Sequence, residues 1–250
     1  MKLSIVIAVL NSHEVVRRQA LWFSKMNLAN AEFIIVDDKS DPPLTDFPPF
    51  QIYRYEVPGK WTQPGARNFG AKRAQGEYLI CTDIDHIISP RLIEFVMQSD
   101  YDFTKFRREV AVLDDKGEFV QTREAVEEYG YQGYDRRGFH ISPHTNSFAI
   151  KRDLYLRLGG VSERYVGTGK YPNREELPLR SRLKALKRAG EIKTVEADED
   201  NDIRPTIYMI PNGRFCGDKD YNPFGLFHSL SRTKPERSRM TNKEKRREGR

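Results

Sequence analysis

The first hundred residues contain short, continuous apolar runs that alternate with segments of helical periodicity. The runs cover residues 4–10, 33–36 and 78–81. Continuous apolar runs of this length are typical of strands that are buried on both faces of a parallel sheet. Helical patterns follow the first run, cover residues 65–74 and begin again at Pro90. The alternation predicts an α/β fold with a mostly parallel central sheet.

The second half of the chain has a less regular pattern. A hairpin is expected over residues 110–120, a strand over 148–150 and helices over 152–158 and 175–189. Residues 129–140 form a loop in which aromatic and basic side chains are interleaved. No internal repeat interrupts this part, so we expect one domain rather than two.

The most informative motif is Asp83-Ile84-Asp85, which follows the apolar run at 78–81. Two carboxylates one residue apart, at the carboxyl end of a buried strand, can hold a hard divalent cation whose shell is completed by phosphate oxygens. The spacing alone is weak support, because Asp200 and Asp202 share it, as do Asp218 and Asp220. The position after a predicted strand distinguishes the first triplet.

The net charge of +6 comes from the end of the chain. Residues 232–250 contain nine basic and three acidic residues, whereas the preceding residues 1–231 contain 33 of each. We therefore expect a neutral body over 1–231 and a basic tail over 232–250. Such a tail is either a solvated end or an arm that binds nucleic acid or another polyanion.

The chain contains no apolar run near the about 20 residues that a membrane-spanning helix needs. The apolar start predicts a first strand rather than a signal peptide, since no cleavage site of small residues follows it. Two cysteines, Cys81 and Cys216, form no disulfide framework. These features favour a cytoplasmic protein, including the host cytoplasm if the protein is viral.

The order of motifs resembles the family 2 glycosyltransferases of the GT-A fold, including small soluble members of phage type. The resemblance covers roughly residues 3–195 and rests on several motifs in sequence. They are the first strand at 4–11, Val36-Asp37-Asp38-Lys39-Ser40, Ala66-Arg67-Asn68-Phe69-Gly70, Asp83-Ile84-Asp85, Asn146-Ser147-Phe148-Ala149-Ile150 and Leu158-Gly159-Gly160. Ala8 and Leu10 stand where the family often has proline and tyrosine.

The resemblance implies that residues 1–100 bind the nucleotide and that residues 101–231 bind the donor sugar and the acceptor. It assigns contacts with a nucleotide-diphosphate sugar, expected to be a UDP-sugar, and with a Mn²⁺ or Mg²⁺ ion. The nucleotide contacts would be Ala8, Val9, Leu10, Asp38, Arg67, Asp83 and Ile84. The donor-sugar contacts would be Asn146 and Gly160. The metal ligands would be Asp83, Asp85 and His228.

The resemblance also implies an acidic pair that opens a helix, here Glu175-Glu176, and the second position carries the base in the family pattern. We therefore favour Glu176 as the base that accepts the proton of the acceptor hydroxyl, with Glu175 as the alternative. The glycine that usually precedes the pair is replaced by Arg174. The arginine-tryptophan motif of processive synthases is missing after this helix, which favours addition of a single sugar. The resemblance further implies transfer of a hexose with inversion.

Structural roles compete with several of these assignments. Asp37 and Asp38 are also suited to a turn after a strand, the glutamate pair to a helix start, and a lone histidine to a core. In the loop, Tyr131, Tyr134, Arg136 and Arg137 either cover the core or stack on a sugar or an exposed base of the acceptor.

The acceptor is not determined by the sequence. The family favours a saccharide or a lipid-linked sugar, while the basic tail also allows a hydroxymethylated base in DNA. Two other functions remain open: nucleotidyl transfer, for which no glycine-rich phosphate loop is present, and a non-catalytic polyanion-binding protein on the same scaffold.

Overall fold

The computed structural model describes residues 1–26, 29–59, 62–164, 166–168, 175–195 and 204–211. The helices in chain order are α1 His13–Ser24, α2 Gln63–Arg73, α3 Pro90–Gln98, α4 Arg123–Glu128, α5 Tyr134–Arg137, α6 Arg152–Arg157 and α7 Leu177–Arg188. The strands are β1 Leu3–Val9, β2 Ala31–Asp37, β3 Gln51–Arg54, β4 Tyr78–Asp83, β5 His86–Ile87, β6 Phe103–Lys105, β7 Arg107–Val110, β8 Val112–Leu113, β9 Phe119–Val120, β10 His140–Ile141, β11 Phe148–Lys151, β12 Thr194–Val195 and β13 Thr206–Met209.

The central sheet has seven strands in the order β12-β6-β11-β4-β1-β2-β3. The pairs β1·β2, β1·β4, β2·β3 and β12·β6 are parallel, whereas β11 is antiparallel to both of its neighbours. The α/β fold with a mostly parallel sheet is therefore confirmed. From β1 the sheet continues with β2 and β3 on one side and with β4 on the other. The carboxyl ends of β1 and β4 therefore border a crevice of the kind in which open α/β sheets bind ligands.

Hydrophobic cores cover both faces of this sheet, as the continuous apolar runs require. Along β1, Ile5 and Ile7 face one core, while Val6 and Ala8 face the other. The alternation follows from the two-residue period of a strand. The first core takes the apolar faces of α1 and α3, and the second takes those of α2, α6 and α7. Because helices pack on both faces of the sheet, the motifs at the ends of its strands are held along one edge of the sheet.

A second, smaller sheet extends the fold beside the first. It has the order β10-β7-β13-β5, and β8 and β9 form a separate antiparallel hairpin. The hairpin was predicted, although its first predicted residue, Val110, belongs to β7. The strands β5, β6, β7, β10, β12 and β13 were not predicted, because runs of two to four residues carry too little periodicity.

Within the described residues, no helix has both the length and the apolar character needed to cross a membrane.

Candidate active site

Three side chains of types that can ligate a metal converge where β4 ends. Asp83 closes β4, Asp85 follows in the turn, and His86 opens β5. One ligand atom from each of these residues lies within 4.8 Å of the others. Because β4 is in the middle of the sheet, the cluster lies over the crevice at the carboxyl ends of β1 and β4.

Asp83 is held by three side chains from two other segments. The Arg67 guanidinium on α2 forms an ion pair with Oδ1, and Gln63 Nε2 donates to the same oxygen at 3.0 Å. His144 Nδ1 lies 3.4 Å from Oδ2. Burial, the largest single effect, acts to raise the pKa of Asp83, and the positive charge of Arg67 is the largest effect that lowers it; the net pKa lies below the ordinary value. Asp83 is therefore an anion in the folded protein.

Arg67 lies beneath the Asp83 carboxylate. Its side chain is only 1% exposed, and its guanidinium is engaged with Asp83. The guanidinium is buried beneath the carboxylate, and a direct contact between Arg67 and a phosphate stays a prediction. Arg67 holds Asp83 charged and oriented at the sheet edge.

The turn that carries Asp85 is braced by α1 and by the second sheet. Gln19 Nε2 donates to the carbonyls of Ile84 and His86, at 3.2 and 2.9 Å. The Ile210 amide donates to the Asp85 carbonyl at 2.8 Å. His86 Nδ1 lies 2.8 Å from Asp85 Oδ1, so the two side chains are in contact. The backbone around the cluster is therefore fixed from both sides.

His144 joins this cluster and was missed by the sequence analysis. Its ring stacks on His86 with a centroid distance of 5.4 Å. Burial lowers the pKa of His144 to about 4, although Asp83 acts in the opposite direction. The imidazole is thus neutral at pH 7. In the antiparallel pairing of β11 with β4, Phe148 is opposite Cys81. Extending this register places residues 144–146 opposite residues 83–85.

These residues fit a divalent cation. Carboxylate oxygens suit Mg²⁺ and Mn²⁺, and neutral imidazole nitrogen suits transition metals. His86 Nε2 is buried and has no hydrogen-bond partner among the described residues, which is costly unless a ligand binds there. Asp83, Asp85 and His86 would hold the ion, with His144 beside them. The predicted ligand His228 lies outside the described residues.

Asp37 and Asp38, at the end of β2, have different roles. Asp37 accepts hydrogen bonds from the Ser40 and Leu44 amides and from Arg54, so it stabilises the turn. Asp38 accepts from Thr62 Oγ1 at 2.6 and 2.7 Å, and burial raises its pKa. Asp38 is thus at the crevice next to the residue before α2, where a nucleotide base contact stays a prediction.

Three of the predicted nucleotide contacts, on β1 and directly after β4, are buried residues. Ala8, Val9 and Ile84 are between 2% and 7% exposed. The Val9 carbonyl already accepts from the Asp38 amide at 2.7 Å. Leu10, directly after β1, is partly exposed. A nucleotide contact at the three buried positions would therefore use the backbone.

The two glutamates before α7 lie in different surroundings. Both side chains are buried, at 6% and 7% exposure. Burial raises the pKa of Glu175, and the charge of Arg67 opposes that shift in part. Glu176, the residue before the first turn of α7, lines a groove beside Ser147 and Lys105. Glu175 is thus within the electrostatic influence of Arg67 and Asp83, whereas Glu176 lines the groove.

The two predicted donor-sugar residues lie on segments that adjoin the site. Asn146 lies on the segment between His144 and β11, and its buried Oδ1 has no hydrogen-bond partner within the part of the chain that the structure describes. Gly160 has a φ of +64°, and a Cβ there would collide with Asn68 Oδ1 and Tyr155. Gly160 is therefore required for packing against α2, and its contact with a sugar stays a prediction.

The predicted acceptor loop is mostly structural. Tyr131 is 2% exposed, packs with Val126 and Ile141, and donates a hydrogen bond to the Gly138 carbonyl. The ring of Tyr131 is therefore buried, and its stacking on a sugar or a base stays a prediction. Arg136 and Arg137 are exposed.

Tyr134 is partly exposed, but neighbouring side chains already contact its ring. Phe139 packs edge-to-face against it, and Arg123 lies 5.1 Å from its centroid. The basic tail at 232–250 lies outside the described residues.

Comparison with known proteins identifies the family. Residues 4–157 match the sequence model described as glycosyl transferase family 2. No curated protein matches the chain. Among solved structures, S. aureus TarS 1–349 in complex with UDP-GlcNAc is similar at a TM-score of 0.50 and 16% identity, covering 85% of this chain and 59% of that one.

Two further solved structures are similar at lower scores. Glucosyl-3-phosphoglycerate synthase from Mycobacterium tuberculosis, with Mg²⁺ and UDP, has a TM-score of 0.46 and 14% identity, over 84% of this chain and 69% of that one. Mannosyltransferase PcManGT from Pyrobaculum calidifontis, with GDP-Man and Mn²⁺, has 0.44 and 15%, over 84% and 56%. The chain spans about six tenths of the length of the TarS 1–349 structures. Because the family match covers more than half of the sequence, this chain belongs to glycosyl transferase family 2, and its fold is the GT-A fold.

Proposed function

We propose that the protein transfers a single hexose, with inversion, from a nucleotide-diphosphate sugar to an acceptor hydroxyl, and that the reaction depends on Mn²⁺ or Mg²⁺. A UDP-sugar is the proposed donor. The observation that carries the proposal is the convergence of Asp83, Asp85 and His86 at the crevice of the sheet, with Glu175 and Glu176 reaching the same region.

Residues from three segments would form the donor side of the site. Asp38 would contact the nucleotide, and Asp83 and Asp85 would hold the cation against the diphosphate. When bound, the cation would neutralise the charge that develops on the leaving diphosphate. Arg67 contributes indirectly, because its ion pair keeps Asp83 charged and in place.

The acceptor side depends on Glu176. Its carboxylate can accept the proton of the hydroxyl as the oxygen attacks the sugar carbon. Attack on the face opposite the leaving diphosphate inverts the configuration at that carbon. Binding donor and acceptor in the crevice and the adjoining groove makes the two-substrate step effectively unimolecular.

The proposal is tested by incubating the protein with Mn²⁺ or Mg²⁺, a panel of sugar nucleotides and three acceptor types. The acceptors are saccharides, lipid-linked sugars and DNA with or without hydroxymethylated bases, and product mass is the readout. We expect transfer that requires the metal and is lost in D85A. The matched control is D115A, which removes an exposed carboxylate from the β8–β9 turn. Unchanged donor binding and turnover in D85A would refute the proposal.

A further inference from the structure

A groove opens between α7 and the strands β6 and β11, next to the crevice. Its volume is about 660 Å³, within the roughly 300–1,000 Å³ range of small-molecule sites. The apolar side chains of Phe103, Phe148 and Leu183 line it, together with the hydroxyl groups of Thr145 and Ser147. A groove of this composition can hold a small molecule with both apolar and polar parts.

The groove is strongly basic along its helical wall. Arg180, Lys184 and Arg188 follow one another at four-residue spacing, so they lie on one stripe of α7, and all three line the groove. Each is exposed and forms no ion pair with any residue that the structure describes. Like charges four residues apart destabilise a helix slightly. A bound anion would remove that repulsion.

The one acidic residue among the described residues that line the groove is Glu176, at the end nearest the start of α7. From there the helix rises about 1.5 Å per residue, so Arg180 follows by about 6 Å and Lys184 by about 12 Å. A ligand along this wall would place a hydroxyl at Glu176 and an anionic group one to two turns away.

One end of the groove lies near the carboxylate cluster, because the segment 144–147 contributes to both. Ser147 Oγ lies 2.9 Å from Thr82 Oγ1, and Thr82 precedes Asp83 on β4. Thr145 lines the groove, and the preceding residue, His144, lies next to Asp83. A molecule in the groove would therefore have one end beside the proposed donor site.

From this geometry we infer that the acceptor is a phosphorylated alcohol, held in the groove by its phosphate group on Arg180 and Lys184. The inference rests on the proposed function and adds the substrate class. Cationic side chains form their strongest hydrogen bonds with phosphate and carboxylate oxygens. A volume of about 660 Å³ fits a small phosphate ester or the end of a chain rather than a nucleic-acid duplex.

The transfer balances without another reactant. The acceptor oxygen forms a bond to the anomeric carbon while the bond from that carbon to the diphosphate oxygen breaks. The electron pair leaves with the nucleoside diphosphate, and the hydroxyl proton passes to Glu176. The phosphate group on Arg180 and Lys184 is unchanged and serves only to orient the acceptor.

The test measures binding of glycerol 3-phosphate and of glycerol by calorimetry at low salt, and competition by glycerol 3-phosphate against sugar transfer. We expect the phosphate ester to bind and glycerol not to bind. R180Q/K184Q should weaken glycerol 3-phosphate binding at least about tenfold, since two charged contacts are lost. R180K/K184R should retain binding, because the charges remain.

The matched control is K72Q/R157Q, which removes two exposed positive charges from α2 and α6. Equal weakening in the control would overturn the inference, because net charge alone would then explain the effect. Binding of oligothymidylate but not of glycerol 3-phosphate, with loss in R180Q/K184Q, would also overturn it, since the groove would then serve nucleic acid.

The two proposals fail in different ways. If the wild type shows neither sugar-nucleotide binding nor transfer, the proposed function fails. If transfer occurs but R180Q/K184Q leaves glycerol 3-phosphate binding and competition unchanged, only the phosphorylated acceptor is excluded.

Discussion

Arg67 and Asp83 form an ion pair beneath the sheet edge, with the arginine buried and the aspartate facing the crevice. The arginine comes from α2 and the aspartate from the end of β4, so the pair joins two of the motifs that define the site. A buried cation is tolerated only when it is paired. The same contact therefore contributes to folding and to the charge state of a proposed metal ligand.

Replacing Arg67 should destabilise the protein more than an ordinary surface change. R67Q leaves the Asp83 carboxylate without its main partner in a partly buried position. We expect a loss of about 3 kcal/mol in the free energy of unfolding. This value is near the lower end of the range for breaking a buried ion pair, because Asp83 is partly exposed. Urea unfolding at pH 7 measures this loss.

The double variant R67M/D83N is the control for that experiment, since it removes both charges together. It should recover part of the lost stability, because no uncompensated charge remains. A loss below about 1 kcal/mol in R67Q would contradict the structural role assigned to the pair.

His144 should contribute to cation binding although it lies 61 residues beyond Asp83 in the sequence. In H144F the ring that contacts Asp83 and stacks on His86 loses its nitrogen atoms. We expect Mn²⁺ affinity to fall roughly tenfold or more, as is usual when a group that orients metal ligands is removed. Electron paramagnetic resonance of Mn²⁺ in the presence of UDP measures the affinity without requiring turnover.

His140 offers a matched control for His144, because it is an exposed histidine on β10 whose nearest carboxylate is Glu109, 3.4 Å away. H140F should retain the wild-type Mn²⁺ affinity. Equal affinities in H144F and the wild type would show that His144 has no part in the metal site.

Glu14 on α1 should make stability depend on pH under acid conditions. Its hydrogen bonds with Arg17, aided by those with Arg18, lower its pKa from 4.5 to about 2 against the opposing effect of burial. Because the folded pKa is depressed, this stabilisation is present above pH 4.5 and is lost as the pH falls to about 2. The carboxylate is 39% exposed, so solvent screening limits the contribution to below about 1 kcal/mol.

The measurement is urea unfolding of E14Q and the wild type at several pH values. The stability difference should be present at pH 7 and should shrink between pH 4.5 and about 2. E94Q, at an exposed position on α3, should show a smaller difference at pH 7. A difference for E14Q that stayed constant over this range would contradict the shifted pKa.

The parts of the fold that the sequence predicted are those with strong periodicity. β1, β2 and β4 are buried on both faces, so their apolar runs were continuous and their ends located Asp38 and Asp83. Burial of Tyr131 was not predictable, because interleaved aromatic and basic residues occur both in surface loops and over small cores. The approach of His144 to Asp83 depends on antiparallel pairing of β11 with β4, and the sequence gives no signal for that register.

The two glutamates before α7 should differ in their contributions to catalysis. Glu176 lines the groove, whereas Glu175 is influenced by Arg67 and Asp83. E176Q keeps the shape but removes the proposed base, so transfer should fall by about a hundredfold or more. E175Q should have a smaller effect, since it changes only the electrostatic surroundings of Asp83. Single-turnover rates at saturating donor measure both effects.

The pH profile of the wild type gives an independent check of this assignment. If the order of the two variants were reversed, Glu175 would be the base. Because burial raises the pKa of Glu175, the transfer rate would then decline, as the pH falls, at a pH above the ordinary glutamate value of 4.5. This decline would be absent in E175Q and would remain in E176Q. That pattern would place the acceptor hydroxyl beside Arg67 and outside the groove.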